Sequence, residues 1–151
     1  MTTLSRALAL VGITVITNVH ALPPWSSLDE AVAIQGYDPV AYFVKNDAVR
    51  GSSKFTQDWN AMTWFLSSAE HRDMFVAAPE KYAPQFGGFC TPGVASGQNS
   101  RGGGDAWTIL DGKLYLSYDK SVRANFRRDI PGTVSRAAGW WPTVKSRIEK
   151  Q

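Results

Sequence analysis

The chain contains a single cysteine, Cys90, among its 151 residues. One cysteine excludes an intramolecular disulfide, which many small exported domains use to supplement a limited core. The fold must therefore rest on hydrophobic packing. A hydrophobic content of 44%, with six Trp, seven Phe and five Tyr, supplies apolar surface for one packed core.

The first residues have the three parts of a secretory signal peptide: a short polar start with Arg6, the apolar run Leu8–Ile16, and small residues around Ala21. The apolar run is too short and too interrupted by polar residues to span a membrane. We predict that residues 1–21 are removed and that Leu22 begins a mature single domain, 22–151, in the periplasm or outside the cell. No later segment of the sequence is predicted to cross a membrane.

The charge of the chain is close to balanced, with a formal net charge of +3. This value is too small to indicate nucleic-acid binding. Basic residues concentrate towards the C-terminus, where 113–151 holds nine Lys and Arg against three Asp and Glu. That segment is either a surface for acidic partners or anionic lipid, or the solvated face of terminal helices.

Alternating apolar residues around short polar breaks predict two β-hairpins. Their predicted turns are Asn60-Ala61 and Asp111-Gly112, and their strands cover 54–59 with 62–66 and 106–110 with 113–118. A further short strand is predicted at Ala31–Ile34, and the glycine-rich segment Arg101–Asp105 is predicted to be a flexible loop. No internal repeat is apparent in the sequence.

Helical signals follow each hairpin. Ser67 with Glu70 fits a capping box, so a helix is predicted from there to Pro79, with Phe75 and Val76 facing inward. The C-terminal segment is predicted to be helical, with a break at Pro131-Gly132 and a last helix beginning at Pro142. The expected fold is a single α+β domain with a small antiparallel sheet built from hairpins and helices packed on one face or end.

Several of these segments, in this order, resemble the YHS domain family, and most closely its exported, stand-alone branch. The segments that carry the resemblance are GYDPVAYF at 36–43, WFLSS at 64–68, FVAAPEKY at 75–82, GGFC at 87–90 and WTILDGKLYL at 107–116. The resemblance covers nearly all of the predicted mature chain. It implies a small α+β module related to metal-handling domains, and it does not imply an enzyme.

The resemblance also implies where a metal would bind. Metal-binding relatives carry cysteines after Asp-Pro-Val, after the Phe of the Phe-x-Ser segment and one turn before the phenylalanine of the next helix. This sequence has Ala41, Leu66 and His71 at those places, the last with a one-residue insertion. The usual thiol ligands are therefore missing here.

Two residues are the candidate metal ligands. Cys90 is the only thiol and His71 the only histidine after the predicted signal, and copper(I) and zinc accept such ligands. The alternatives are a buried apolar role for Cys90 and an exposed helix position for His71. By residue type the same two residues form the only nucleophile and base pair for a thiol enzyme, although no family signature surrounds them.

Tyr37 and Asp38 are the candidate ligand-binding residues beside the rigid Pro39 turn. The alternative is an Asx-turn, in which the Asp38 side chain bonds its own backbone. The sequence thus predicts a non-catalytic exported YHS-type module that binds a metal ion, copper being favoured, or a small ligand in a cleft lined by Tyr37, His71 and Cys90. A protein-interaction module with an aromatic surface at Trp140-Trp141 and a basic tail is the first alternative, and a thiol-dependent enzyme the second.

Overall fold

A computed structural model describes residues 32–151 of the chain. The predicted signal peptide, the Leu22 boundary and Ala31 lie outside the described residues. The described part is an α+β domain with two separate two-stranded antiparallel sheets, as expected for the fold class. Among residues 32–151, the structure shows no helix with the length and apolar character that a membrane span requires.

Residues 33–148 form six elements and then six more in the same order. The first six are a 3-10 turn Ala33–Gly36, α1 Ala41–Val44, β1 Ser52–Trp59, β2 Met62–Leu66, α2 Ala69–Ala77 and α3 Pro79–Tyr82. The second six are a 3-10 turn Gln85–Gly88, α4 Thr91–Ala95, β3 Gly103–Leu110, β4 Lys113–Ser117, α5 Lys120–Phe126 and α6 Ile130–Ile148. We call residues 33–82 the first half and residues 85–133 the second half.

The two halves match in detail as well as in order. Both strand pairs have the same lengths, and each has its register shift at the same place, before Thr56 in β1 and before Trp107 in β3. Each 3-10 turn contains consecutive left-handed residues and leads into an isolated bridge, Tyr37 with Arg50 and Phe89 with Arg101. The domain is therefore an internal structural duplication with a spacing of 51 or 52 residues.

Helix starts repeat at the same spacing. Ser68 caps α2 by accepting the amide of His71, and Asp119 caps α5 by accepting the amide of Val122. Ala78 and Asp129, which precede α3 and α6, have nearly the same backbone angles, φ −152° with ψ 65° and φ −153° with ψ 72°. Few residues are identical at matched positions, which is why the sequence shows no repeat. When 50–82 is aligned with 101–133, the residues that are identical in the two segments are Arg50, Gly51, Arg72 and Phe75.

Both predicted hairpins are present, and the two central residues of each turn have left-handed backbone conformations. Asn60 and Ala61 have φ of 53° and 63°, and Asp111 and Gly112 have φ of 50° and 70°. Positive φ at both central residues is the signature of the type I′ turn that suits the twist of two antiparallel strands. The hairpin prediction at Asp111-Gly112 is confirmed together with the one at Asn60-Ala61.

Two predictions about strands and loops are wrong. Ala33 and Ile34 form a 3-10 turn, in which Ile34 has φ 43°, rather than a strand. Gly103 and Gly104 belong to β3 rather than to a flexible loop. Glycine is needed at Gly104 because a Cβ there would overlap the ring of Tyr37, which lies against the strand backbone.

Four predictions about helices need correction. The break predicted at Pro131-Gly132 comes earlier, at 127–129, because both residues lie in the first turn of α6. The cap of α2 is Ser68, since the hydroxyl of Ser67 is used by Asp38. Val76 is half-exposed, and His71 takes the predicted inward position with Phe75. Pro142 lies inside the continuous helix α6. Proline removes one helix hydrogen bond, but buried residues before and after it, Ala137, Val144 and Ile148, pack in one cluster and keep the helix continuous.

The core has two parts, and the larger one draws residues from both halves. The larger cluster contains Trp64 and Phe75, whose rings lie 5.1 Å apart, with Tyr42, Leu114 and Leu116. The smaller cluster joins Phe89 and Val94 to α6. Because α6 is much longer than its counterpart α3, it covers the second half with additional apolar surface.

Candidate functional site

The most polar buried group in the described chain is the carboxylate of Asp38, which is fully inaccessible to solvent. Its Oδ1 accepts the backbone amides of Val40 at 2.9 Å and Ala41 at 3.2 Å. This confirms the Asx-turn that the Asp-Pro sequence predicts. Oδ2 accepts the backbone amide of Ser67 at 2.9 Å and the hydroxyl of Ser67 at 2.5 Å.

His71 completes this cluster. Its Nδ1 lies 2.5 Å from Oδ2 of Asp38 and 3.2 Å from Oγ of Ser67. Because the carboxylate is surrounded by donors, the hydrogen-bond pattern assigns a proton to Nδ1. The imidazole is therefore fixed in orientation by Asp38, and its Nε2 is the ring atom that the cluster does not use.

The Asp38, Ser67 and His71 cluster is not arranged for nucleophilic catalysis. In a serine hydrolase the imidazole lies between the carboxylate and the hydroxyl, so that one ring nitrogen faces each of them. Here Asp38 and Ser67 both face Nδ1. The Ser67 hydroxyl donates its hydrogen bond to the carboxylate, and the arrangement holds the start of α1, the end of β2 and helix α2 together.

Tyr37 lies beside this cluster but has different contacts. The guanidinium carbon of Arg50 lies 4.1 Å from the centre of its ring. Gln35 joins the same region to β3, because its side-chain amide donates to the carbonyl of Gly102 and its oxygen accepts the amide of Gly104. The surroundings of Tyr37 thus connect the first 3-10 turn to the second hairpin.

Cys90 is buried in the second half, at 3% exposure, which agrees with the apolar alternative for this residue. Burial raises the pKa of its thiol, and hydrogen bonds from the backbone amides of Gly93 and Tyr118 oppose that rise. These two amides correspond, at the internal spacing, to those of Ala41 and Ser67 on Asp38. Cys90 is therefore the second-half counterpart of Asp38.

The residues present do not fit the metal site that the family resemblance implies. Ala41 and Leu66, at two of the expected thiol positions, are apolar and fully buried. His71 is bonded to Asp38 through Nδ1 and has a side-chain exposure of 6%. Within residues 32–151 there is no group of three or more His, Cys, Asp and Glu side chains placed to hold a metal ion.

The second half contains a groove that sequence reasoning did not anticipate. It lies between α4, α5 and α6 and has a volume of about 340 Å³, near the lower end of the range for small-molecule sites. Its lining includes Pro92, Ala95, Val122, Phe126, Thr133 and Arg136. A second hollow, of about 470 Å³, is lined by residues between 142 and 150. Because these residues are close together in sequence, the hollow is a furrow along the C-terminal end of α6.

The internal duplication explains why the groove exists. In the first half the matching positions hold Phe43 and Tyr82, whose rings pack edge to face with centroids 5.5 Å apart. In the second half they hold Ala95 and Thr133. Two aromatic side chains are thus replaced by two small ones, and the space that they would fill is left open. The only sequence signal for this groove is the repeat itself, which is too diverged to see without the structure.

No family model, no curated protein and no solved structure matches the chain.

Proposed function

We propose that the protein is a non-catalytic exported module of the YHS type that binds a small organic ligand in the groove between α4, α5 and α6. The observation that carries the proposal is the replacement of the first-half pair Phe43 and Tyr82 by Ala95 and Thr133. A binding pocket is an apolar concavity with a few polar groups at its edge. The groove has this composition, with Phe126 buried at its base and Arg136 exposed.

A small ligand is favoured over a metal ion because of the positions of the candidate ligands. The imidazole of His71 is held in the first half by Asp38, whereas the thiol of Cys90 is bonded to second-half amides. A stable zinc site uses three or four protein ligands. Neither half offers such a set within the described residues.

A fluorescent aromatic probe, 8-anilinonaphthalene-1-sulfonate, tests the proposal with the mature protein. We expect one saturable site, detected as a rise in fluorescence. Ala95→Phe should reduce the affinity at least about tenfold, because the new ring occupies the groove as Phe43 does in the first half. The matched control is Ala138→Phe, since Ala138 is an exposed residue of α6 that does not line the groove.

The filled variant should also be folded and at least as stable as the unmodified protein. Burying an aromatic ring in an existing cavity adds apolar contact without displacing another side chain. Urea denaturation checks this. Equal probe affinity in a folded Ala95→Phe variant, or no saturable binding by the unmodified protein, would show that the groove is not a ligand site.

A further inference from the structure

The lining of the groove carries one positively charged side chain. Among the described residues that line the groove, Arg136 is the charged one. The surrounding 113–151 segment is also basic, with nine Lys and Arg against three Asp and Glu. An anionic group at this edge would gain a charge-assisted hydrogen bond from Arg136.

The guanidinium of Arg136 is held at the edge of the groove. Its Nη2 donates to the hydroxyl of Thr133 at 3.1 Å, and its Nη1 lies 3.6 Å from a carboxylate oxygen of Asp129. The Asp129 pair is about 59% exposed on each side, and exposed pairs of this kind contribute little to stability. The Asp129 carboxylate also accepts the amide of Gly132 at the start of α6, and a ligand carboxylate would take the guanidinium over from it with two parallel hydrogen bonds.

The base of the groove is suited to an aromatic ring. Phe126 and Val122 provide apolar walls. Phe126 is the counterpart of Phe75, and the matched space of the first half holds two rings of the protein itself. The first half fills the matched space with aromatic rings, so a flat aromatic group should also fit the groove of the second half.

We infer that the ligand is a small aromatic carboxylate, with its ring in the groove and its carboxylate on Arg136. This inference rests on the proposed function, because it names the class of ligand for the same site. Asn125, which also lines the groove, provides a second donor type for the carboxylate or for a ring substituent.

Calorimetric titration with 1-naphthoate and its neutral isostere 1-naphthamide tests the inference on the mature protein. We expect 1-naphthoate to bind at least about tenfold more tightly than the amide. Arg136→Gln should bring the two affinities within about twofold, through a loss of affinity for 1-naphthoate. Arg128→Gln is the matched control, since Arg128 is exposed at the junction of α5 and α6 and does not line the groove.

The possible outcomes separate the two proposals. If neither compound binds, the groove is not a ligand site and the proposed function fails. If both bind equally, or if the preference for naphthoate persists in Arg136→Gln, the groove binds ligands but the inferred carboxylate recognition is wrong. If Arg128→Gln removes the preference as fully as Arg136→Gln, general positive charge rather than Arg136 selects the anion, which also overturns the inference.

Discussion

Cys90 occupies in the second half of the domain the place that Asp38 occupies in the first. Both follow a left-handed 3-10 turn, and both accept backbone amides from the next short helix and from the residue after the hairpin. The difference lies in the partner. Asp38 faces His71, whereas the position matching His71 in the second half is Val122. The two halves thus share the backbone amides that donate to this position, but they differ in the side chains that surround it.

This relationship predicts that the first-half cluster can be partly rebuilt in the second half. Cys90→Asp alone should lower the free energy of unfolding by about 3 kcal/mol, because it buries a carboxylate without a basic partner. Adding Val122→His should recover at least about 1 kcal/mol, since the imidazole would lie where His71 lies relative to Asp38. Urea denaturation of the two single variants and the double variant measures the coupling.

The control for this coupling is Cys90→Asn with and without Val122→His. An amide has no charge for the imidazole to stabilise, so that pair should show little coupling. Equal coupling energies for the Asp and Asn series, or none for either, would mean that the two halves do not place these side chains equivalently.

The Asp38 cluster itself should be a main source of stability. Asp38→Asn should lower the free energy of unfolding by about 3 kcal/mol, because a neutral amide cannot accept all the donors that surround the carboxylate and leaves some of them buried without a partner. Asp73→Asn is the matched control, since Asp73 is exposed and its carboxylate pairs with the neighbouring Arg72. A similar small loss in both variants would contradict a structural role for the cluster.

The hairpins and the α+β class could be predicted from the sequence because both depend on local patterns. Asp111-Gly112 combines a turn dipeptide with flanking alternation, and such signals act within a few residues. The helix of α2 was also predicted, but its cap was placed at Ser67 instead of Ser68. The reason is a contact over 29 residues, from Ser67 to Asp38, which no local pattern contains.

The burial of His71 and the groove depend on contacts between distant segments. Histidine is intermediate between buried and exposed residue types, so its side chain alone does not predict burial; here the buried carboxylate of Asp38 holds the imidazole inside. The groove at Ala95 and Thr133 could not be predicted because small residues leave no sequence signal of an empty space. It is recognised only by comparison with Phe43 and Tyr82 at the matched positions.

The thiol of Cys90 should be slow to react in the folded protein. Burial raises its pKa, and only the thiolate reacts readily with iodoacetamide. At pH 8 we expect alkylation to be on the order of a hundredfold slower than in the urea-unfolded chain, measured by intact mass against time. Equal rates in the folded and unfolded protein would contradict the buried position and favour a thiol-dependent activity.

The raised pKa of Cys90 also has a consequence for stability. The folded state holds the thiol proton more tightly than the unfolded state, so the contribution to stability is present at low pH and is lost as pH rises above about 8.5. The free energy of unfolding of the unmodified protein should therefore fall relative to that of Cys90→Ser between about pH 8 and 10. If the difference in unfolding free energy between the two proteins does not change with pH, the Cys90 thiol does not have a raised pKa in the folded state.

Copper binding can be tested directly on the two candidate ligands. Cys90 and His71 are soft or borderline ligands, but Ala41 and Leu66 are apolar and fully buried where relatives of the resembled family carry thiols. We therefore expect at most weak binding of one copper(I), lost in Cys90→Ser and reduced in His71→Ala, with the fold retained in both. Titration against a competing copper(I) chelator measures the affinity, and circular dichroism of each variant checks the fold.

The two variants separate the remaining explanations for any copper that binds. If affinity is unchanged in Cys90→Ser but lost in His71→Ala, the imidazole binds through Nε2, because Nδ1 is bonded to Asp38, and the thiol is not a ligand. If both variants keep the affinity of the unmodified protein, the metal is held elsewhere and neither residue is a ligand. Tight stoichiometric binding that needs both residues would contradict the small-ligand proposal, since the His71 side chain of the first half and the Cys90 side chain of the second half would have to reach one metal ion.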